Sequence, residues 1–300
     1  MSARAVREHQ AGFVRSLSSS RPETRGTYER ALRGFIRWFP QDGNFRFQVE
    51  DVERYKRYLT SKKKLSKVSV STYLTALRRF CEYLVEEMIL QANPARFVDG
   101  NKRPLVHSRG TLRADEVQAL FAAIDNDGKL GTRDYAMAKL MLGCGLSEIE
   151  IVRANIGDMT VIDGTDSLIV QGKGRRRKDE RVSLSDDVKN AIDQYLARRS
   201  RKANSEPLFV SAGNRTQGQR LSTRGVRDRI NYYLSKAGLR QGKRRRITPY
   251  SLRHTAAIMM ADAGANADEI RQRMRLGSIA TAMLYLDRNT NPTGNEKTKP

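Results

Sequence analysis

Apolar residues recur at three- and four-residue steps through most of the first 90 residues, and this spacing constrains the fold most strongly. A run with that period forms one apolar face of an amphipathic helix. The first such run starts at Thr24 and ends at Pro40, the second covers residues 49–59, and the third is capped by Ser69 or Ser71. The first dozen residues are polar, and we expect them to be frayed. The pattern predicts a small all-α unit of roughly 80 residues, which is a plausible size for a domain.

A change in composition predicts the domain boundary. Between residues 97 and 112 the periodicity is lost, and Gly, Pro and mixed charges indicate a linker. Helices are predicted at 114–124 and 133–146, followed by β-like runs at 167–170 and 180–184 around a Gly-Lys-Gly hairpin tip. Residues 207–210 form a candidate short strand.

These signals give a predicted fold class and four predicted segments. The fold class is mainly α with a small β-sheet, an α-helical N-terminal domain being followed by an α+β domain. The predicted segments are an N-terminal domain at 1–98, a linker at 99–112, a second domain at 113–288 and a disordered tail at 289–300.

Charge restricts the class of partner. The chain carries 56 Lys and Arg against 33 Asp and Glu, a formal net charge of +23. Such an excess produces a strong positive field, and nucleic acid is the polyanion that best neutralises it, because phosphate binding releases condensed counterions. An anionic membrane surface is the competing partner. However, no stretch approaches the roughly 20 apolar residues of a membrane span, and the N-terminus lacks the apolar core of a signal peptide. We therefore expect a cytoplasmic, nucleoid-associated protein without a membrane partner.

The basic residues are clustered. The candidate DNA-binding residues are Lys62, Lys63, Lys64, Lys67, Arg175, Arg176, Arg177, Lys178, Lys243, Arg244, Arg245 and Arg246, and a further basic run covers residues 198–202. A single run of this kind is usually a solvated face. Several runs in one chain with a high net charge favour a nucleic-acid groove.

Cysteine and histidine are scarce. Cys81 and Cys144 each lie within an apolar helical pattern, which favours two buried side chains in a reducing compartment. Together with His9, His107 and His254, they provide no cluster with metal-ligand spacing. We predict no metal and no cofactor, although a site made of carboxylates alone is left open.

Four segments of the second domain resemble, in order, the conserved boxes of one protein family. Residues 145–159 are similar to the box Gly-Leu-Arg-x-x-Glu and the apolar run that follows it. Residues 170–184 look like a hairpin that carries a catalytic lysine. Residues 248–256 resemble the box His-x-Leu-Arg-His-Thr, and residues 277–285 resemble the segment that ends in a nucleophilic tyrosine. Over about residues 20–287 the chain thus resembles the tyrosine recombinases, or phage-type integrases.

The resemblance implies a fold and a reaction. It implies an N-terminal core-binding domain with a SAM-like fold and an α+β tyrosine-recombinase catalytic domain, which grip double-stranded DNA as a C-shaped clamp. The family works as a tetramer, so a homo-oligomer on DNA is expected, with accessory DNA-bending proteins as further candidate partners. The reaction is a transesterification through a 3′-phosphotyrosine intermediate, which conserves bond energy and requires neither ATP nor metal.

The resemblance also implies roles for individual residues. Tyr285 takes the place of the nucleophile, Arg253 that of the phosphate clamp and Lys173 that of the general acid, with His254 in support. An arginine suits the clamp because its planar fork binds two phosphate oxygens, and a lysine can protonate the leaving oxygen. Two of these residues have a structural alternative: Tyr285 as a core residue and Lys173 as a solvated turn residue.

Three positions depart from the family pattern. The first arginine of the family falls on Ser147, a histidine on Tyr250, and the later His or Trp on Leu276. Arg153, or one of the arginines at 175–177, is a candidate replacement for the missing arginine. The loss of one such donor typically costs ~10²–10³ in rate.

Two functions therefore stay open. The first is a recombinase that cleaves and rejoins DNA with an unusual active site. The second is a catalytically impaired relative that acts as a DNA-binding accessory or regulatory protein. An unrelated RNA-binding protein is less favoured because the sequence contains no RNA-recognition signature.

Overall fold

The chain divides into two units, an amino-terminal unit spanning Met1–Pro104 and a carboxy-terminal unit spanning Leu105–Pro300. The computed structural model describes residues 1–19, 22–42, 45–101, 110–172, 175, 177–199, 203–213, 215–240 and 246–287. The prediction of a mainly helical chain with a small sheet is confirmed.

The amino-terminal unit is built from helices around an aromatic core. The helices are α1 (Ala3–Ser16), α2 (Pro22–Asp42), α3 (Val49–Arg57) and α4 (Lys67–Glu86), with a π-helical turn (Tyr58–Lys62) after α3. Phe35 of α2 lies at the centre, with its ring edge-on to Tyr55 at 5.2 Å and to Phe45 at 5.4 Å between centroids. Edge-to-face aromatic pairs of this kind add stability beyond the area that they bury.

The structure corrects three of the predictions for this unit. The first residues are not frayed: they form α1, which is capped by Ser2 and buries Val6 and Phe13 in the core. Pro40 does not stop α2, which continues to Asp42. The third helix begins before Ser69 and Ser71, with Ser66 as the N-cap residue. The error at α1 has a physical cause, since Val6 and Phe13 are the two buried residues of an otherwise polar segment and only tertiary contacts bury them.

The carboxy-terminal unit combines helices with one small sheet. Its helices are α5 (Ala114–Ala122), α6 (Lys129–Gly143), α7 (Glu148–Arg153), α8 (Asp186–Ala197), α9 (Thr223–Lys236), α10 (Pro249–Asp262), α11 (Ala267–Arg273) and α12 (Ile279–Leu286). The strands β1 (Met159–Ile162), β2 (Thr165–Val170) and β3 (Glu180–Ser183) form an antiparallel sheet in the order β1-β2-β3. The central strand buries Leu168, which is opposite Met159 on one side and Val182 on the other.

Two predictions for the carboxy-terminal unit need correction. The sheet has a strand, β1, that the sequence patterns did not indicate. The candidate strand at 207–210 is not a strand, because Pro207 and Val210 form only isolated bridges to Asn155 and Arg220. The predicted hairpin tip at Lys173 and the predicted tail at 289–300 lie outside the described residues.

One buried ionic group stabilises the helical part of this unit. Asp134 of α6 is fully buried and lies between Arg133, with oxygen–nitrogen distances of 2.6 and 2.8 Å, and Arg229 of α9, at 2.6 Å. The hydroxyl of Tyr233 is 3.1 Å from the same carboxylate. We call Arg133, Asp134, Arg229 and Tyr233 the Asp134 cluster. It joins α6 to α9 through groups that are hydrogen-bonded, as buried charges need to be.

Both cysteines are buried and unpaired. Burial raises the pKa of the Cys81 thiol to about 12 and that of the Cys144 thiol to about 11. At neutral pH both therefore stay protonated and pack as small apolar side chains. Across the described ranges, no helix combines the length and apolar character that a membrane crossing requires.

Candidate active site

Helix α10 presents three of the predicted site residues. Thr248 caps the helix, Pro249 and Tyr250 lie in its first turn, and Arg253 and His254 lie in the next turn. Proline suits this position because its missing N–H is not needed in the first turn of a helix. Arg253 is 5% exposed and His254 is 8% exposed, so the helix directs both side chains into the unit.

The carboxylate of Glu150 lies at the centre of the site. Glu150 is the third residue of α7, and its Oε2 atom accepts hydrogen bonds from the backbone N–H and the hydroxyl of Ser147, both at 2.7 Å. Arg253 donates to the same oxygen at 2.9 Å. Arg275, which follows α11, donates from Nε to Oε1 at 2.6 Å. We call Ser147, Glu150, Arg253 and Arg275 the Glu150 cluster.

Backbone carbonyl groups hold the two arginines of this cluster. The carbonyl oxygen of Gly145 accepts hydrogen bonds from both Arg253 and Arg275, and that of Met274 accepts one from Arg253. Gly145 has a φ of 61°, and a Cβ atom there would lie 2.4 Å from the sulfur of Met274. Glycine suits this position, because it tolerates the left-handed backbone and because a Cβ atom would force Met274 to shift.

The charges of the cluster keep Glu150 ionised. Burial alone would raise the pKa of this carboxyl, but the positive charges of Arg275 and Arg253 outweigh burial and bring the pKa below its usual value. One negative charge thus faces two positive charges, since an arginine side chain does not lose its proton in a protein. The site carries an excess of positive charge.

The predicted nucleophile is adjacent to this cluster. Tyr285 of α12 is 5% exposed, and its ring packs in an apolar group that includes Ala256, Ile270 and Ala282. Its hydroxyl lies 2.8 Å from Nδ1 of His254, the residue next to Arg253. The oxygen is therefore covered, but it is held by a polar partner and not by the apolar interior.

Electrostatics at Tyr285 oppose its ionisation in this conformation. Burial raises the pKa of the hydroxyl above its usual value, the nearby Tyr250 raises it further, and the charge of Arg253 acts in the opposite direction. The ring of Tyr250 lies edge-on to that of His254 at 4.9 Å between centroids. In this arrangement Tyr285 is a neutral phenol.

The other predicted site residues lie in several places. Leu276 is partly buried and packs against the apolar group around Tyr285. Arg153 lies in the last turn of α7. In the hairpin, Arg175 pairs with Glu180 at 2.7 Å, Arg177 is exposed, and Lys178 forms an ion pair with Asp158. Lys173, Arg176, Lys243, Arg244 and Arg245 lie outside the described residues, and Arg246 is exposed.

The amino-terminal unit has a basic surface that is larger than the sequence suggested. Lys62, Lys63, Lys64 and Lys67 are all exposed. Lys63 also lines a cavity of 300 Å³ together with Arg30, Arg33 and Arg37 of α2. The spacing of these arginines, which repeats at three and four residues, places them on one helix face and could have indicated this surface from the sequence.

Arg275 is the site residue that sequence reasoning missed. It belongs to none of the basic runs, and its contact with Glu150 joins residues that are 125 positions apart. Among the described residues, no group of three or more His, Cys, Asp and Glu side chains is placed to hold a metal ion.

Comparisons with known proteins connect this geometry to a family. Residues 110–291 match the phage integrase family, and residues 14–90 match the phage integrase N-terminal SAM-like domain. The chain is 28% identical over 279 residues to the tyrosine recombinase XerC of Escherichia coli O157:H7, covering 91% of this chain and 89% of that protein. It is 26% identical over 292 residues to XerC of Leptospira interrogans serovar Lai, covering 95% and 90%.

Solved structures share the fold. The XerH site-specific recombinase bound to palindromic difH substrate, in a post-cleavage complex, has a TM-score of 0.69 and 19% identity over 87% of this chain and 75% of that one. A lambda integrase dimer bound to a COC′ core site has a TM-score of 0.73 and 14% identity over 98% of each chain. The predicted fold class, a SAM-like helical domain followed by a tyrosine-recombinase domain, is thereby confirmed. The chain belongs to the phage integrase family of tyrosine recombinases.

Proposed function

We propose that this protein binds duplex DNA and cleaves and rejoins its strands through a covalent bond to Tyr285. The observation that carries the proposal is the continuous set of contacts from the Tyr285 hydroxyl, through His254, to the helix turn that presents Arg253. A nucleophile, a residue that orients it and a guanidinium that can bind phosphate are the groups that phosphodiester transesterification needs.

The reaction has two balanced steps. In the first, the Tyr285 oxygen forms a bond to the scissile phosphorus while the bond from phosphorus to the 5′-oxygen breaks. The phenol loses its proton, and the departing oxygen gains one and becomes a 5′-hydroxyl. In the second step, a 5′-hydroxyl attacks the phosphotyrosine, which restores the phosphodiester and releases the phenol. Two easier steps replace one difficult step, and no external energy source is required.

Each proposed residue has one role. Arg253 neutralises charge on the pentacoordinate phosphorus, where a guanidinium is effective because it offers two parallel donors. His254 orients the Tyr285 hydroxyl through the 2.8 Å contact. Lys173 is proposed, from the family resemblance, to protonate the leaving oxygen.

The exposed basic residues are the proposed DNA contacts. Lys62, Lys63, Lys64 and Lys67, with Arg30, Arg33 and Arg37, form a cationic surface on the amino-terminal unit. Such surfaces bind the phosphate backbone with an affinity that falls as salt rises. The solved relatives are bound to DNA, which supports the same partner here. Assembly as a tetramer on DNA is part of the proposal.

One observation favours a second candidate function. The Ser147 hydroxyl donates to Glu150, and Leu276 packs in an apolar group, so neither is turned toward a phosphate. A protein with this site that binds DNA without cleaving it would act as an accessory or regulatory protein.

A nicked duplex separates the two candidates. A bound sequence is first selected from a random duplex pool, and a nick is then placed beside the cleavage position so that the released fragment diffuses away. We expect wild type to leave a covalent protein–DNA band on a denaturing gel, and Tyr285→Phe to abolish the band without loss of DNA affinity. Tight binding without any band in wild type would establish the accessory function instead.

A further inference from the structure

Arg275 lies in a backbone conformation that normally belongs to glycine. It has a φ of 52° and follows the end of α11. Its N–H donates to the carbonyl of Gln272 at 3.0 Å, and the N–H of Leu276 donates to that of Arg271 at 2.8 Å. These two hydrogen bonds define a Schellman motif, whose left-handed position is usually occupied by glycine because a Cβ atom costs steric energy there. An arginine in a strained position suggests that its side chain has a specific role.

The side chain of Arg275 is buried and donates hydrogen bonds to groups within the protein. It is 2% exposed, and its Nε donates to Glu150 at 2.6 Å, its Nη2 to the carbonyl of Gly145 at 3.1 Å and its Nη1 to that of Arg273 at 2.6 Å. All three guanidinium nitrogens of Arg275 thus donate within the protein, one of them to the carboxylate of Glu150, and we assign Arg275 a role through Glu150.

The charge balance of the cluster depends on this arginine. Without Arg275, the carboxylate of Glu150 and the guanidinium of Arg253 would form a neutral pair, 2.9 Å apart. With Arg275 present, Glu150 is neutralised by two partners and the site retains one positive charge. An uncompensated buried charge is costly and favours the binding of an anion. The contacts of Arg253 with the described residues use three of its five N–H donors or fewer, so donors are left for an anion.

The surroundings of Arg275 are also cationic. A cavity of 460 Å³ lies between the base of the β2–β3 hairpin and the segment from α11 to α12. It is lined by Arg175, Arg181, Arg271, Arg273 and Arg275, against one carboxylate, Glu180. Arg175, Arg181 and Arg271 already pair with Glu180, Asp163 and Asp268. The lining remains rich in guanidinium groups, which bind phosphate oxygens in pairs, so it suits a phosphodiester.

We propose that Arg275 is a positioning residue that neutralises Glu150 and thereby leaves the positive charge of Arg253 available to a DNA phosphate. The proposal rests on the proposed function for its link to cleavage. Arg275 brings a second guanidinium to the site from a different part of the chain, at the carboxylate that Ser147 also contacts. The proposed effect is electrostatic. The net charge of the Glu150 cluster, and not the shape of the side chain at position 275, decides how strongly the site attracts phosphate.

The proposal is tested with the full chain and four variants: Arg275→Gln, Arg275→Lys, the double variant Arg275→Gln with Glu150→Gln, and Arg229→Gln. Arg229→Gln is the matched control, since it also removes one arginine from a buried group of two arginines and one carboxylate. Two quantities are measured: the rise in melting temperature caused by inorganic phosphate, and the rate of covalent adduct formation on saturating nicked duplex.

We expect Arg275→Gln to lose the phosphate-induced rise and to slow the adduct by about 10²-fold, the usual cost of losing one charge-stabilising donor. Arg275→Lys should keep both. Compared with Arg275→Gln, the double variant should regain the phosphate-induced rise in melting temperature and should form the adduct at least about tenfold faster. The reason is that it again leaves one positive charge unbalanced. Arg229→Gln should lower the melting temperature without phosphate, but leave the phosphate response and the adduct rate unchanged.

Two results would overturn the proposal: an Arg275→Gln variant with the phosphate response of wild type, or a folded double variant that recovers nothing. The outcome is separable from that of the proposed function. If wild type forms no adduct but the phosphate response follows the charge count, the cleavage function fails and this inference stands. If the adduct forms equally well without Arg275, the cleavage function stands and this inference fails.

Discussion

Two buried groups in the carboxy-terminal unit share one composition, a carboxylate between two arginines, and differ in where the extra charge lies. In the Asp134 cluster, Arg229 is 33% exposed, and its guanidinium lies over the rings of Tyr232 and Tyr233 at 5.0 and 5.1 Å. Water and aromatic faces therefore stabilise the extra charge there. In the Glu150 cluster, the arginine side chains are only 7% and 2% exposed.

This difference shows what a buried ionic group can be used for. Where the extra charge reaches solvent, the group is electrically satisfied and holds two helices together. Where both arginines are buried, the group is incomplete, and an anion from outside completes it. Composition alone does not separate the two cases, whereas the exposure of each arginine does.

The largest expected effect comes from the removal of the Asp134 carboxylate, which is hydrogen-bonded to Arg133 and Arg229. Asp134→Ala would leave Arg133 buried without its partner, and we expect a loss of ~3–5 kcal/mol in the free energy of unfolding, as for other broken buried pairs. Urea denaturation followed by circular dichroism measures it. The control is Asp228→Ala, which removes an exposed pair with Arg224 at 3.5 Å and should cost less than ~1 kcal/mol. Similar losses for the two variants would mean that the Asp134 cluster contributes no more than a surface pair.

A smaller effect is expected from Gly145→Ala, which tests a feature that only the Glu150 cluster has. The new methyl group would meet the sulfur of Met274 at 2.4 Å and displace the carbonyl that binds both arginines. We expect a loss of stability about 1–3 kcal/mol larger than for Gly164→Ala, since overpacking costs that much.

Gly164 is the matched control because it also has a positive φ, 71°, but no atom lies within 4 Å of an added Cβ. It therefore reports the backbone cost alone. Equal midpoints of urea unfolding for the two variants would show that the contact with Met274 relaxes freely.

The smallest effect concerns acid stability. Because the arginines lower the pKa of Glu150 in the folded state, its ionised form stabilises the fold above the unfolded-state pKa of about 4.3, and this contribution is lost as pH falls through the folded-state pKa. Burial opposes the arginines, so the effect is modest. The stability difference between wild type and Glu150→Gln, measured by urea unfolding at several pH values, should shrink on acidification. A constant difference between wild type and Glu150→Gln would contradict the assigned direction.

Local patterns in the sequence were sufficient for most of the helices and for the family, but not for the site. The period of the apolar residues indicated α2, α3 and α4 because each buries one continuous face. The same reasoning failed at α1, whose fold depends on contacts such as that of Phe13 with Phe80, 5.8 Å between ring centroids. No local signal marks that kind of contact.

The Glu150 cluster illustrates the same limit. Ser147, Arg253 and Tyr285 could be located by their motifs, but Arg275 could not, because its role depends on a carboxylate 125 positions away. The family pattern predicts an arginine where Ser147 stands, and the sequence offered Arg153 or one of the arginines at 175–177 as its replacement. Arg275 instead reaches Glu150 from the end of a helix, in a backbone conformation that is usual for glycine.

The covered hydroxyl of Tyr285 has a consequence for the timing of the reaction. Under the proposed function, an oxygen that is 2.8 Å from His254 and belongs to a side chain only 5% exposed has to be uncovered before it can reach a phosphorus atom. Strand cleavage would then be gated: encounter with DNA and breakage of the strand become separate kinetic events. A protein of this kind can search long stretches of DNA without damaging them, because the movement that uncovers the phenol has to come first.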